Sequence, residues 1–474
     1  SASCTLEELY MTQKWLRALG SNNIDHRLFQ HDFRDQEQLS ACPSLGIALD
    51  AIEDCQSIFL IGSNVRHEQP IIGHWINKAV TGNQAAVLAI NPIDYSFVFP
   101  LQEKIIQADI VAALQQVLQQ VATAKGEAIE ALSGITVSEQ AQRIAEQLMK
   151  SEQGVLLLGD FALGHPDASQ IRALAHRIAM LTGAQCGELT RGANAAGAWL
   201  AGAIPHRGAA AQRIESPGLN AREVLLTQPR KIYFLFNVEP EFDSAYADGA
   251  LHALHQADLV VCLTQFISAN MRQYADVILP IAPFSETDGT FVNVTGHWQS
   301  FRSTCAPAHD AKPGWQVIRA LARYFNVTGL DYKTAAEVRQ ECYQQVEQMS
   351  ELNYTPVTLQ SAKTSDLADS VLRVAQPLMY RSDPLVRRAQ ALQETITAFD
   401  CALRINANTA ARFDLHPHDI VQVNQGDSHT VLQCEIDDTV ADGLAVIPSA
   451  LEQTVGFGLA MAPVTFTRIG GQSE

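Results

Sequence analysis

The sequence is poor in the residues that mark several protein classes. Aromatic residues fill only 7% of its 474 positions, so its cores must rest on Leu, Ile, Val and Ala. Cations are also scarce: 33 Lys and Arg stand against 51 Asp and Glu, a formal net charge of −18. A nucleic-acid partner calls for the opposite balance, and so does adhesion to anionic lipid. No window is densely basic; the nearest is the pair Arg387-Arg388. No run approaches the roughly 20 apolar residues of a membrane-spanning helix. The closest, Ala195 to Ile204, is rich in Ala and Gly and stops at Pro205-His206-Arg207. The amino terminus has no basic segment followed by an apolar one, so no secretory signal is read. The nine cysteines contain no CxxC pair, and the closest two, Cys42 and Cys55, are 13 apart. Such spacing offers no thiolate set for zinc or an iron–sulfur cluster. It predicts reduced, mostly buried thiols.

What is present is globular. Hydrophobic residues reach 47% and charged residues 18%, and the length suits about three domains. Thr5 and Glu8 make a capping-box pattern ahead of Leu6, Leu9, Leu16 and Leu19, with Gly20 as the stop. This helix begins almost at the first residue, which is Ser, and the expectation is a piece of a longer protein. Ser57 to Ile61, Ala85 to Ile90 and Gly154 to Leu158 are continuous apolar runs, each ended by Gly or Asn. They read as buried parallel strands. Helices are predicted over 69–80, 138–149 and 168–181, and a further one takes in Ile105, Ile106, Ile110 and Val117. A second alternation runs through Lys231 to Phe236, a helix at 246–255, Leu259 to Leu263, and Val277 to Pro280. Pro313 opens another helix. Asp383 and Pro384 start one that turns Leu385, Ala389 and Leu392 inward. After about residue 395 short strands with turn residues between them suggest a small closed barrel.

The chemistry is less plain. Parallel sheets bind ligands at the carboxyl ends of their strands. Gly62, Asn64, Asn91, Gly159 and Asn237 stand there, and Asp288, Gly289 and Asn293 form a polar, glycine-punctuated loop. No GxGxxG or GxxxxGK[ST] accompanies them. The alternatives are turn residues that simply end strands, and a nucleotide-like ligand at the Gly62 and Gly159 tips. The 14 histidines form no metal set: His252 and His255 are three apart on a helix, and His416 and His418 flank a proline. No GxSxG marks a serine nucleophile. Glu239, Glu241 and Asp243 crowd one loop, which reads as a solvated acidic loop, the alternative being that any one of them acts as an acid. No catalytic residue and no metal ligand is assigned.

Several stretches resemble one family. Leu19-Gly20-Ser21-Asn22-Asn23-Ile24-Asp25-His26-Arg27, Ile61-Gly62-Ser63-Asn64 and Gly192-Ala193-Asn194-Ala195-Ala196-Gly197 carry the likeness. Ala275 to Pro280 extends it through Glu286, Asp288 to Asn293, Gly296 and Gln299. Ile405-Asn406, Ala410, Asp419 and Val421 continue it in the barrel. Together they resemble the C-terminal, molybdopterin-oxidoreductase-like part of the large iron–sulfur subunit of bacterial NADH:quinone oxidoreductase, respiratory complex I. The segment Tyr380 to Thr395 favours that branch.

The resemblance implies an α/β fold of two Rossmann-like parallel-sheet domains, one inserted in the other, plus a C-terminal β-barrel. Its boundaries would be 1–48 with 215–375, the insertion 49–214, and the barrel 376–474. It implies a peripheral subunit on the cytoplasmic side of the inner membrane, with the other hydrophilic-arm subunits as partners and no direct membrane insertion. Full-length relatives carry [2Fe-2S] and [4Fe-4S] clusters in an N-terminal region that this sequence lacks. The chain also departs from the family's enzymes. Where those place Asp-Pro-Arg after the second strand, it has Asn91-Pro92-Ile93. The basic partner of a buried pyrophosphate is missing. Trp298 replaces a smaller group, no Thr-Gly-Arg loop is evident in the barrel, and Cys42 lies in the region of the family's metal ligand without a supporting motif. The expectation is a degenerate enzyme scaffold with no cofactor in this chain. The alternatives are an active molybdopterin-dependent oxidoreductase and a nucleotide-binding module.

Overall fold

The computed structural model describes residues 1, 3–361, 370–375, 377–395 and 401–470. The chain forms two compact units. One comprises 1–43, 191–355 and 380–393, the other 44–190, 356–379 and 394–474.

The apolar runs become a five-stranded parallel sheet. Its strands are β1 (Ser57–Ile61), β2 (Ala86–Asn91), β3 (Glu103–Ile106), β4 (Gly154–Leu158) and β5 (Gln185–Glu188), in the order β3-β2-β1-β4-β5. Every residue of β1, β2 and β4 is buried, because helices cover both faces, and this is why those strands do not alternate. Ile105 and Ile106 belong to β3, not to a helix; the helix begins at Ile110, capped by Asp109. β5 escaped the sequence reading because Gln185-Cys186-Gly187-Glu188 has no apolar run to reveal it.

In the other unit β6 (Ile232–Phe236), β7 (Leu259–Thr264) and β8 (Val277–Pro280) form a parallel sheet in that order. β9 (Gly289–Val292) and β10 (Trp298–Phe301) pair as an antiparallel hairpin. The first helix, α1 (Leu6–Ala18), carries the predicted capping box: Thr5 Oγ1 accepts from Glu8 N–H at 3.2 Å and Glu8 returns the bond to Thr5 N–H at 2.8 Å. Its buried face, Leu6, Leu9, Tyr10 and Trp15, shares a core with Phe236, Leu263, Val292 and Trp315. Residues 191–214 lie in this unit. The reason is hydrogen bonding: Arg207 donates to the carbonyls of Glu37, Leu39 and Ser40, and Arg17 to those of Gly202, Ile204 and Arg207.

The third apolar region closes as a barrel. Strands β11 (Val371–Val374), β12 (Ala402–Ile405), β13 (Ile420–Gln425), β14 (Ser428–Ile436), β15 (Leu444–Val446) and β16 (Pro463–Gly470) follow the order β11-β15-β12-β14-β13-β16. Val421, Val423, Leu432 and Cys434 point inward, as period-two alternation requires. The barrel lies in one compact unit with the five-stranded sheet, and the two share a core through Val374, Val440, Leu444 and Val446. Among the described residues no helix is long and apolar enough to cross a membrane.

A buried cation lies inside the barrel's unit. Arg373 is 1% exposed and donates to the carbonyls of Ile447, Pro448 and Gly458, with its guanidinium over the Phe457 ring. Burial pushes its pKa down to about 9. Replacing it by Met leaves three carbonyls without that donor. Arg373→Met should lower stability by about 2–4 kcal/mol, measured by denaturant unfolding.

Candidate functional site

The five-stranded sheet brings its four predicted tip residues together. Gly62 ends β1 with φ +57°, and a side chain there would meet Ala162 N at 2.6 Å. Gly159 ends β4, and a side chain there would meet Ser63 Cβ at 2.3 Å. The two tips thus touch, and glycine is required at both. Asn91 closes the third side: its Oδ1 accepts from Ser63 N–H at 2.8 Å. Asn64 is half-buried, and its N–H points at a carboxylate.

That carboxylate is Glu68, which the sequence reading passed over. Glu68 Oε1 accepts from Asn64 N–H at 3.0 Å, and Oε2 accepts from Asp160 N–H at 3.2 Å and Ser63 Oγ at 3.4 Å. The main-chain amides at the ends of β1 and β4 are the donors a ligand phosphate would use in such a fold. Here the chain's own anion takes them. The available signal was the spacing Asn64-x-x-x-Glu68, one helical turn, which returns the carboxylate over the tip it follows. Next in the chain, Ile93 is 8% exposed and bridges to Val440, with Asp94 N–H donating to the Thr439 carbonyl and Ala441 N–H to that of Pro92. The position is apolar packing. Beside β3 lies a cavity of about 330 Å³ lined by Tyr95, Phe97 and Phe99 among others. Its Asp94 and Lys104 are paired at 2.5 Å.

The other four candidates fall in the other unit. Asp288, Gly289 and Asn293 belong to the β9–β10 hairpin, and their polar groups shape the fold itself. Asn293 Oδ1 accepts from the N–H groups of Thr295 and His297. Asp288 accepts from Ser303 N–H at 2.9 Å. Gly289 leaves room for Thr5, whose Cγ2 would lie 2.4 Å from an added Cβ. Neighbouring Thr290 is 0% exposed and donates its N–H and hydroxyl to Glu7 of α1 at 2.9 and 2.7 Å. Asn194, also 0% exposed, donates to the Cys4 carbonyl at 2.9 Å and accepts from Val292 N–H at 2.8 Å. An added Cβ at Gly197 would meet Asn194 Oδ1 at 2.0 Å, which accounts for the small residue there. Trp298 packs edge-on against Tyr343, ring centroids 5.2 Å apart.

Asn237 stands at the tip of β6 with φ +48°. Its N–H donates to the Leu263 carbonyl, while its buried Oδ1 has no hydrogen-bond partner among the described residues. The loop beyond it corrects the sequence reading. Glu239, Glu241 and Asp243 are not solvated: they are 0%, 1% and 7% exposed. Glu239 and Asp243 are paired with arginines, and Glu241 accepts from Ser268 Oγ at 2.7 Å and Tyr274 Oη at 3.3 Å. Burial holds the Glu241 carboxyl above its usual range.

The histidine and cysteine candidates stay apart. His255 packs on Tyr274, and His416 lies 3.6 Å from Asp419. Among the described residues no three His, Cys, Asp or Glu side chains gather as a metal site. Among the described residues no cysteine forms a disulfide; five are buried and Cys305 is exposed. Burial pushes the Cys42 thiol up to about 11, which disfavours the thiolate a metal would need.

A family model described as molybdopterin oxidoreductase matches residues 1–324. The chain is 26% identical over 380 residues to an F420-dependent formate dehydrogenase subunit alpha of Methanocaldococcus jannaschii, covering 68% of this chain and 56% of that protein. It is 24% identical over 339 residues to a mitochondrial NADH-ubiquinone oxidoreductase 78 kDa subunit of Candida albicans, covering 70% of this chain and 40% of that one. It thus spans about half the length of these relatives. Its fold is that of acetylene hydratase from Pelobacter acetylenicus, with a TM-score of 0.54 at 14% identity, over 96% of this chain and 81% of the other.

Two outcomes follow from this geometry. Burial pushes the Glu7 carboxyl up to about 7. Its folded pKa lies above the unfolded value, so its stabilising contribution is full below about 4.5 and is lost as pH rises through about 7. Thermal midpoints should fall by the equivalent of about 1–3 kcal/mol over that window, and Glu7→Gln should flatten the slope. Asn194→Ala, which strips two buried hydrogen bonds, should cost about 2–4 kcal/mol in denaturant unfolding.

Proposed function

Since the chain belongs to the molybdopterin oxidoreductase family, we propose that it is a scaffold. It keeps the family fold without holding the family cofactor, as a structural part of the peripheral arm of an NADH:quinone oxidoreductase. A relative named as a subunit of NADH-ubiquinone oxidoreductase supports the placing. In this proposal the chain sits on the cytoplasmic side of the inner membrane among the other hydrophilic-arm subunits. Iron–sulfur clusters, the NADH site and quinone chemistry belong to segments and subunits outside it.

The observation that carries the reading is Glu68. A dinucleotide pterin is a polyanion, and the residues at the strand tips do not fit one. Glu68 places a negative charge on the amides of Asn64 and Asp160. Ile93, packed on Val440, offers no cation where the family's enzymes carry arginine. Beyond β6, Glu239 and Asp243 present carboxylates, and the nearby arginines already neutralise them. A pyrophosphate entering these places would displace an internal ion and meet like charge, a costly exchange in a buried setting.

A second reading, an active molybdopterin-dependent oxidoreductase, draws on two observations. One relative is named as a formate dehydrogenase, and Asn237 Oδ1 is a buried acceptor without a partner among the described residues. Cofactor analysis separates the two. Full-chain protein from molybdate-supplemented cells should contain neither molybdenum nor tungsten nor pterin; stoichiometric molybdenum with pterin overturns the scaffold reading. Tagged chain should also copurify with the other peripheral-arm subunits, and failure to do so removes the assembly role. Glu68→Ala should destabilise the chain by about 1–3 kcal/mol, because two main-chain donors lose a charged acceptor. A thermal midpoint unchanged in Glu68→Ala would remove the support this residue gives.

A further inference from the structure

We propose that Tyr380–Gln393 is a charge-latched strap, held by Arg387 and Arg388 against Glu239 and Asp243 at the carboxyl end of β6, whose release would bare that strand end while leaving the sheet folded. The chain leaves one compact unit at Met379, lays this segment in the other, and returns at Glu394. The segment is short and knit to itself. Asp383 caps the turn Pro384–Arg387 by accepting from the N–H groups of Leu385 and Val386. Arg387, Arg388, Ala389, Leu392 and Gln393 all donate main-chain hydrogen bonds to carbonyls inside the segment. Gln393 Nε2 ties back to the carbonyls of Tyr380 and Val386.

The side chains show how it is attached. An ordinary amphipathic turn would bury its leucine. Here Leu385 is 39% exposed, contrary to the sequence expectation, and Arg387 is buried. Arg387 Nη2 reaches Glu239 Oε2 at 2.8 Å, and its Nη1 reaches Asp243 Oδ1 at 2.8 Å. Arg388 Nη2 takes the second oxygen, Glu239 Oε1, at 2.5 Å. The guanidinium groups also lie over Phe242 and Phe266, 5.2 and 4.6 Å from the ring centroids. Two cations thus meet two carboxylates in matched number, and the planar fork of Arg387 bridges both acids. Asp243 Oδ2 meanwhile accepts from Glu239 N–H at 2.8 Å, so Asp243 is held by its own loop as well as by the strap. The socket is built on β6 and its loop; the strap inserts into it.

A clamp made of ions differs from apolar docking. Removing one member leaves an uncompensated buried charge, so the attachment fails as a unit. The sheet β6-β7-β8 owes its order to its own ladder and to the core it shares with α1. The strap should therefore open with the sheet closed, as a local unfolding unit.

Hydrogen exchange on the full chain tests this. Arg387→Met should speed exchange in peptides covering 380–393 by on the order of a hundredfold, with Ile232–Phe236 and Leu259–Thr264 as protected as in the wild type. Arg387→Lys should fall between, since an ammonium cannot bridge both acids. Unchanged protection of 380–393 in Arg387→Met would overturn the proposal, and so would an equal loss across β6 and β7. Should Arg387→Met fail to fold, Arg388→Ala carries the test. It removes the half-exposed arginine and should speed strap exchange about tenfold; unchanged exchange there overturns the latch.

Discussion

A parallel strand that ends in a buried turn leaves main-chain amides pointing into the crevice beyond it, and each must find an acceptor. In many proteins of this architecture a ligand anion is that acceptor. In this chain the end of β1 and the start of the turn after β4 are served by one internal carboxylate, Glu68. Much else depends on it. Gly62 and Gly159 let the two tips close to contact distance, Asn91 clamps Ser63 from a third strand, and Ile93 then turns away into apolar packing with Val440. The crevice is built from the chain's own groups.

The other unit uses the same economy with the charges reversed. Beyond β6 the chain gathers buried carboxylates, and arginines of a returning segment neutralise them. Around α1, the polar residues of the signature stretches are engaged in cross-links: Thr290 to Glu7, and Asn194 to both Cys4 and Val292. Such bonds lie in low dielectric and lose much when one partner is removed. A motif shared across a family can thus serve to hold the fold.

The family relation and the site therefore speak to different questions. Membership and the molybdopterin oxidoreductase-like fold are plain from the match over residues 1–324 and the likeness to acetylene hydratase. Relatives named as a formate dehydrogenase subunit and as an NADH-ubiquinone oxidoreductase subunit share it at 26% and 24% identity. The strand ends of this chain are instead characterised by a few of its own residues, above all Glu68 and Ile93.

The sequence alone determined the architecture, because its signals are local and periodic. Continuous apolar runs at 57–61, 85–90 and 154–158, each ended by Gly or Asn, read as strands buried on both faces, and Thr5 with Glu8 marks the start of α1. Short alternating segments after 400 announced the barrel. Elements without an apolar run, β3 and β5, were misread or missed. The fates of the charged residues were not legible either. Glu239 and Asp243 sit in a stretch that reads as a solvated acidic loop, and Arg387 stands 148 residues beyond Glu239 in the chain. Whether a charge is exposed or buried depends on whether its counter-ion arrives, and that is decided by tertiary packing. Glu68 lay nearest to recognition, four residues from the amide it serves. Its role still required the turn after β4 to come alongside β1, a pairing that no local pattern encodes.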